Sequence, residues 1–228
     1  MIYFTSDIDW AHEVVIEDML NIFNEYNQAC TLFATHSSEV IKEAVKIHEV
    51  AIHPNFNVLF DNSPSTICAE KIVDDLLEVY PNAIGTRSHS LTSNSKLSFM
   101  FHDKGLKYES NIILPYQEVK PYKLWNNFIR IPYNWEDDVH YHYNKHFSDP
   151  ELSLDFQYCI FDFHPIHVFL NTDSEQRYNA AKKYLDDPKK LIQFRNENSF
   201  GVRTLLITLL ETCKVNHSKC LKLSDICI

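Results

Sequence analysis

Short apolar runs alternate with segments of helical period along this chain, and that alternation restricts it to folds built from βαβ units on a parallel sheet. Ile2 to Phe4 reads as a first strand ending in the polar cluster Thr5-Ser6-Asp7-Ile8-Asp9. Ala11 to Tyr26 follows, with Val14, Val15, Met19, Leu20, Ile22 and Phe23 at helical spacing. Cys30 to Ala34 is a second strand, and Ser37-Ser38 then caps a helix over Glu39 to His48. Val50 to His53 forms a third strand, and Thr66 to Val79 an amphipathic helix halted before Pro81. Ala83-Ile84-Gly85 leads a fourth strand into Arg87-Ser88-His89-Ser90. Asn111 to Leu114, Phe128 to Ile131 and Tyr158 to Phe163 complete a set of about seven strands, and Ser174 to Leu210 reads as helical. No linker or internal repeat divides the chain. The pattern predicts one domain over residues 1–228: a distorted (β/α)7-type barrel of mostly parallel strands with a helical C-terminal segment.

Composition removes several classes of function. With three Gly in the chain, neither a G-x-G-x-x-G nor a Walker A loop is present. A net charge of −10 without a basic stripe argues against nucleic acid as a partner. No apolar run is long enough to span a bilayer, and Met1-Ile2-Tyr3-Phe4 leads straight into Asp7 and Asp9, leaving no room for a secretion signal. Cys30, Cys68, Cys159, Cys213, Cys220 and Cys227 are scattered without a C-x-x-C pair, as expected of reduced thiols in a cytoplasmic protein.

The polar residues fall where a barrel would use them. Asp7 and Asp9, His53, Arg87 and His89, and His164 all lie at carboxyl ends of predicted strands, the edge at which α/β folds assemble sites. Asp7 and Asp9 are two apart, so an extended backbone points them to the same side, where a cation or proton would relieve their repulsion. One carboxylate and two imidazoles from three strand ends form a donor set that zinc or another divalent first-row metal accepts. His164 and His167 are three apart around Pro165, and either suits a general acid because imidazole titrates closest to neutrality; Asp162, two before His164, could orient it or point into the barrel interior. His140, His142 and His146 lie in an acidic, aromatic stretch with no strand end beneath them, which reads as a substrate-facing lid more than as a metal cluster.

In order and spacing these segments resemble the polysaccharide deacetylases of carbohydrate esterase family 4, the nodulation-factor deacetylase homology domain. The likeness is greatest to the WbmS-type branch associated with bacterial surface-polysaccharide gene clusters. That family opens with a strand ending in Thr-Phe-Asp-Asp, to which Thr5-Ser6-Asp7-Ile8-Asp9-Trp10 corresponds. Cys30-Thr31-Leu32-Phe33-Ala34-Thr35 is similar to its second strand, and His48 to Asn57 to its His-Ser-x-x-His segment, with Asn57 in place of the second His. Arg87-Ser88-His89-Ser90 occupies the position of its Arg-x-Pro-Tyr motif, although Arg130-Ile131-Pro132-Tyr133 matches the letters better at a later point in the chain. Phe163-His164-Pro165 resembles its final Leu-His-Asp motif.

The resemblance implies hydrolysis of an N-acetyl or related acyl group from an amino sugar, with a divalent metal (Zn2+, or Co2+, Ni2+ or Mn2+) as cofactor. Asp9, His53 and His89 would hold the metal, with the Asn57 amide oxygen as a weaker option. Asp7 would be the general base, held by Arg87. His164 would be the general acid, kept charged by Asp162 or by Asp137 or Asp138. Tyr133, Trp135, Tyr141 and Tyr143 are candidates for the sugar-facing wall. A cytoplasmic enzyme would act on a nucleotide-linked or lipid-linked precursor. The rival readings are a barrel phosphoesterase with two metals and a non-catalytic sugar-binding module.

Overall fold

In the computed structural model, which describes residues 1–60 and 67–227, the strands are β1 (Ile2–Asp7), β2 (Thr31–Ala34), β3 (Glu49–Ile52), β4 (Gly85–Thr86), β5 (Tyr108–Glu109), β6 (Tyr122–Lys123), β7 (Ile129–Arg130), β8 (Trp135–Glu136) and β9 (Cys159–Asp162). They form one sheet in the order β6-β7-β5-β4-β3-β2-β1-β9-β8, and every pairing is parallel except β6 with β7. The two ends of the sheet meet in one stretch of chain. Ile131 N–H donates to Glu109 O and Tyr133 N–H to Ile112 O, while Asn134 N–H turns to Ile160 O and Trp135 pairs with Phe161. Residues 129–136 therefore carry β7 and β8 across the seam, and the sheet curls into the predicted barrel of mostly parallel strands.

Strand parity sorts the side chains. Phe4 and Phe161 are register partners on the outer face and stack 5.7 Å apart, joining the core under the helices. Tyr3, Phe33, Ala51, Tyr108, Ile131, Tyr133 and Ile160 fill the inside. Gly85 permits this filling, because a Cβ there would lie 2.0 Å from the Tyr108 ring. The lower end is plugged by the C-terminal turn Leu223–Cys227: Leu223 is fully buried, and Glu49 accepts hydrogen bonds from Thr31 Oγ1, Tyr108 Oη and Ser224 N–H.

The helices are α1 (Glu13–Glu25), α2 (Glu39–Ala44), α3 (Ala69–Val79), α4 (Ser95–Asp103), α5 (Asp137–His142), α6 (Pro165–Leu170), α7 (Glu175–Ala181), α8 (Pro188–Leu191) and α9 (Val202–Val215). α1 buries Val15, Ile16, Met19, Leu20, Ile22 and Phe23; of the residues expected on its apolar face Val14 is exposed, and Ile16 takes that place. Ser38 caps α2 by accepting from Ile41 N–H at 3.1 Å.

Several boundaries differ from the sequence reading. The helix expected from Thr66 begins at Ala69, and Thr66 itself lies outside the described residues. Asn111 to Leu114 is not a strand: β5 precedes it, and only Ile113 bridges to Tyr133. Ser174 to Leu210 is not continuous helix. Pro188 starts a separate helix at its N1 position, and Asn196 and Gly201 hold an irregular link before α9.

Candidate active site

The ladder hydrogen bonds continue one residue beyond several strands, and this is what gathers the site. Ile8 N–H reaches Phe33 O, His53 N–H reaches Ala34 O, Arg87 N–H reaches Ile52 O and Phe163 N–H reaches Thr5 O. The residues that follow the strands thus rise together at one rim. His89 N–H donates to Pro54 O at 3.0 Å, which brings its ring edge-on to that of His53 with centroids 5.4 Å apart. Asp9 does not share the extended geometry expected of it. Asp9 and Trp10 both adopt left-handed φ (44° and 56°), so Asp7 and Asp9 converge through a tight turn instead of strand parity.

Asp9 Oδ1 lies 3.3 Å from His53 Nε2 and 3.0 Å from His89 Nδ1, and one donor atom from each of the three residues falls within 4.8 Å of the others. Although burial alone would raise its pKa, hydrogen bonds from His53 and His89 hold the Asp9 carboxyl far below the usual range. The bond to Asp9 outweighs burial at His89 and raises that imidazole. One carboxylate and two imidazoles at this separation fit a divalent first-row cation. His53 Nδ1 is buried with no hydrogen-bond partner among the described residues, so the imidazole has no protein group orienting it from behind. Asn57 is exposed, and its amide donates to Ser90 Oγ.

Beneath this cluster lies a fully buried cation. Arg87 Nη1 donates to Asp7 Oδ1 at 2.8 Å and also to Asp162 Oδ1; Nη2 donates to Thr5 Oγ1 and Ser110 Oγ, and Nε to Ser110 O. Its guanidinium carbon sits 4.3 Å from the Phe33 ring centroid and 4.0 Å from that of Tyr133. Asp7 keeps Oδ2 free of Arg87 and turns it toward His53 Nε2, 3.7 Å away. Burial raises the Asp7 pKa, the neighbouring Asp162 adds to that, and Arg87 opposes both.

His164 caps α6 ahead of Pro165, and its Nε2 lies 3.6 Å from Asp9 Oδ2. Its Nδ1 is 2.7 Å from Asp137 Oδ1, while its backbone N–H donates to Asp137 Oδ2. Burial would lower the His164 pKa, but Asp137 reverses the direction and raises it well above the ordinary value. Asp137 is thus the partner of His164. Asp162, expected in that role, is engaged with Arg87 and Thr5 instead.

The aromatic wall is the part of the site that sequence misplaced. Tyr133 is buried inside the barrel, its ring over Arg87 and its hydroxyl donating to Glu136 at 2.5 Å. Trp135 is buried on the outer side among Phe161, Phe163, His140 and Phe147. Tyr143 is exposed and packs on Tyr116. Of the four, Tyr141 lines the cavity of about 440 Å³ that opens beside Asp9 and His164. Trp10, His167 and Tyr178 line it as well: His167 is the other histidine that sequence offers as a general acid, whereas Trp10 and Tyr178 are not anticipated. The adjacency of Trp10 to Asp9 was the available signal. Of the His140 segment, His140 and His142 lie on α5 and His146 follows it: His140 is buried against Tyr116, His142 bonds Asp138 O, and His146 bonds Ser148, so the three are not gathered around one point.

Comparison with known proteins places this geometry. A family model described as WbmS-like polysaccharide deacetylase matches residues 4–182. WbmS of Bordetella bronchiseptica, described as a candidate polysaccharide deacetylase involved in O-antigen biosynthesis, has a similar structure with a TM-score of 0.85 and 35% identity, over 92% of this chain and 90% of that one. The peptidoglycan deacetylase PdaC of Bacillus subtilis shares the fold at 8% identity and a TM-score of 0.54, over 99% of this chain and 89% of that one. A family 4 acetyl xylan esterase from Clostridium thermocellum, in complex with a cobalt ion, does so at 11% identity and a TM-score of 0.50, with the same coverage of 99% and 89%. None of the curated proteins compared matches the sequence.

Proposed function

Because the chain belongs to the WbmS-like polysaccharide deacetylases, a family of hydrolases acting on amide bonds, we propose that it removes an acyl group, N-acetyl in the first instance, from an amino sugar used in surface-polysaccharide biosynthesis. The observation that carries this reading is the convergence of Asp7, Asp9, His53, His89 and His164 at one rim, with a different partner fixed on each side of the reacting position.

Asp9, His53 and His89 would hold the metal, Zn2+ in this proposal. A cation bound there supplies Lewis-acid polarisation of the acyl carbonyl and acidifies a water. Asp7 takes the water's proton at Oδ2, the oxygen that Arg87 leaves free. Arg87 fixes the other oxygen, so the base is aimed without swinging. Hydrolysis breaks the carbonyl–nitrogen bond, and His164 delivers the proton that the departing amine needs from Nε2. Asp137 grips Nδ1–H and the backbone N–H, which fixes the ring orientation and keeps the imidazole charged until transfer. Asp162 shares Nη1 of Arg87 with Asp7 and balances the rest of its charge.

No helix among the described residues is long and apolar enough to cross a membrane. We place the enzyme in the cytoplasm, acting on a nucleotide-linked or lipid-linked precursor. Zn2+-loaded protein should release acetate from N-acetylated amino sugars, and Asp7→Asn should remove that release while leaving metal content unchanged. Release of phosphate in place of acetate, with two ions per chain, would favour a phosphoesterase. Sugar binding without turnover in metal-loaded protein would favour a binding module.

A further inference from the structure

The cavity beside the site has a charged outer wall. It opens between Asp9 and His164 at its inner end and reaches Lys182 and Lys183, which follow α7, at its outer end. Tyr178 bridges the two: its ring meets His167 at 4.6 Å, and Lys182 Nζ lies 5.3 Å over the same ring. Lys183 Nζ lies 4.9 Å over Tyr184. Of the neighbouring cations, Arg177 pairs with Asp173 and Lys190 with Asp187, while Lys189 forms no ion pair among the described residues but does not line the cavity. Lys182 and Lys183 form no ion pair among the described residues. Asp186 is the acid that lines the same outer part of the cavity, so a net positive charge remains there, in a chain whose net charge is −10. The other lining acids, Asp9 and Asp138, belong to the inner end, where the charge of His164 faces both.

We propose that this outer wall recognises an anionic group on the substrate, so that the acylated amino sugar carries a phosphate or a carboxylate beyond the reacting acyl group. The proposal rests on the deacylase reading only for which end of the cavity reacts. A neutral sugar can only accept hydrogen bonds from these ammonium groups, whereas an anion also gains their charge; Lys182 lies over Tyr178, a ring of the cavity wall, and Lys183 over the neighbouring Tyr184. The same chemistry is available from two sources: a glycosyl phosphate linkage or an acidic sugar.

The test measures binding, not turnover, and so stands apart from the activity. Metal-loaded protein is titrated calorimetrically with N-acetylglucosamine, its 1-phosphate, and an N-acetylated aminouronic acid, at low and high salt. Two exposed cations should favour an anionic probe over the neutral one by roughly tenfold at low salt, and less as salt is raised. Lys182→Gln with Lys183→Gln should bring that ratio close to one, while Lys189→Gln with Lys190→Gln, outside the cavity, should preserve it. A gain for the phosphate alone identifies the glycosyl phosphate, and a gain for the carboxylate alone the acidic sugar; either supports the proposal. Equal binding of neutral and anionic probes, or a preference that survives the Lys182/Lys183 double substitution, overturns it. Preferential binding without any acetate release would leave this inference standing and remove the deacylase reading.

Discussion

Replacing Arg87 with Met tests whether the buried Asp7–Arg87–Asp162 arrangement is held by its charge or merely by its packing. The guanidinium is fully buried and makes five hydrogen bonds, to Asp7, Asp162, Thr5 and twice to Ser110. A Met side chain keeps most of the volume between the Phe33 and Tyr133 rings but leaves two carboxylates side by side with no cation. Removing one partner of a buried ionic set costs about 3–5 kcal/mol, because the remaining charge stays desolvated. For a chain of this length that corresponds to a drop on the order of 10 °C in Tm. The loss should depend on pH, and its sign can be stated. Burial already raises the Asp7 pKa and Arg87 opposes that rise, so without Arg87 it climbs further above its unfolded value and the folded variant binds more protons than the unfolded chain. Its stability then increases as pH falls from 8 toward 5, and its deficit against wild type shrinks. Urea unfolding at several pH values, with unchanged m-values, reads this directly. Restoring neutrality in the triple variant Arg87→Met, Asp7→Asn, Asp162→Asn should recover most of the loss. A single variant within about 1 kcal/mol of wild type at pH 8, or a deficit that does not vary with pH, would refute the reasoning.

Two further outcomes follow from the same geometry. Asp137→Asn should lower kcat by about two to four orders of magnitude with little change in KM. Because activity requires protonated His164 and Asp137 is what raises its pKa, the alkaline limb of the pH–rate profile should move to lower pH; an unmoved limb would show that another group supplies the proton. At the other end of the barrel His48 is buried, accepts from Cys30 N–H, and has its pKa pushed down to about 4 by burial and by Lys222. The unfolded chain binds that proton near pH 6.5, so stability is lost as pH falls from 6.5 toward 4, by up to about 3 kcal/mol. His48→Asn, which keeps a neutral acceptor, should flatten the unfolding free energy over that window by the His48 share, with His36, His140 and His167 still contributing in the same direction and the raised Asp137 and Glu136 in the opposite one. An undiminished slope would exclude His48 as a cause.

How much of this was legible in the sequence depends on what kind of signal each residue carried. Asp7, Asp9, His53, Arg87, His89 and His164 could be found because parallel strands deliver their carboxyl ends to one edge, and a polar residue directly after an apolar run marks that edge. The aromatic wall was not legible, because Tyr133 and Trp135 lie on a strand whose parity slips. Ile131 and Tyr133 face the interior, but the register partner of Trp135 is Phe161, an outer-face residue. The slip falls at Asn134, whose side chain bonds Gln117 O, Tyr158 O and Ile160 N–H. No local pattern announces such a slip, since it is set by closure of the barrel between segments distant in sequence. Asp137 escaped a firm assignment for a related reason: its contact with His164 joins residues 27 apart through that same closure.

The measurement that bears most directly on the account is the divalent metal content of the purified protein, wild type beside His53→Ala, His89→Ala and Asn57→Ala. One ion per chain is expected in the wild type and in Asn57→Ala, with loss of the ion in both histidine variants. Metal retained in His89→Ala, or no metal bound by wild-type protein after incubation with Zn2+, would contradict it.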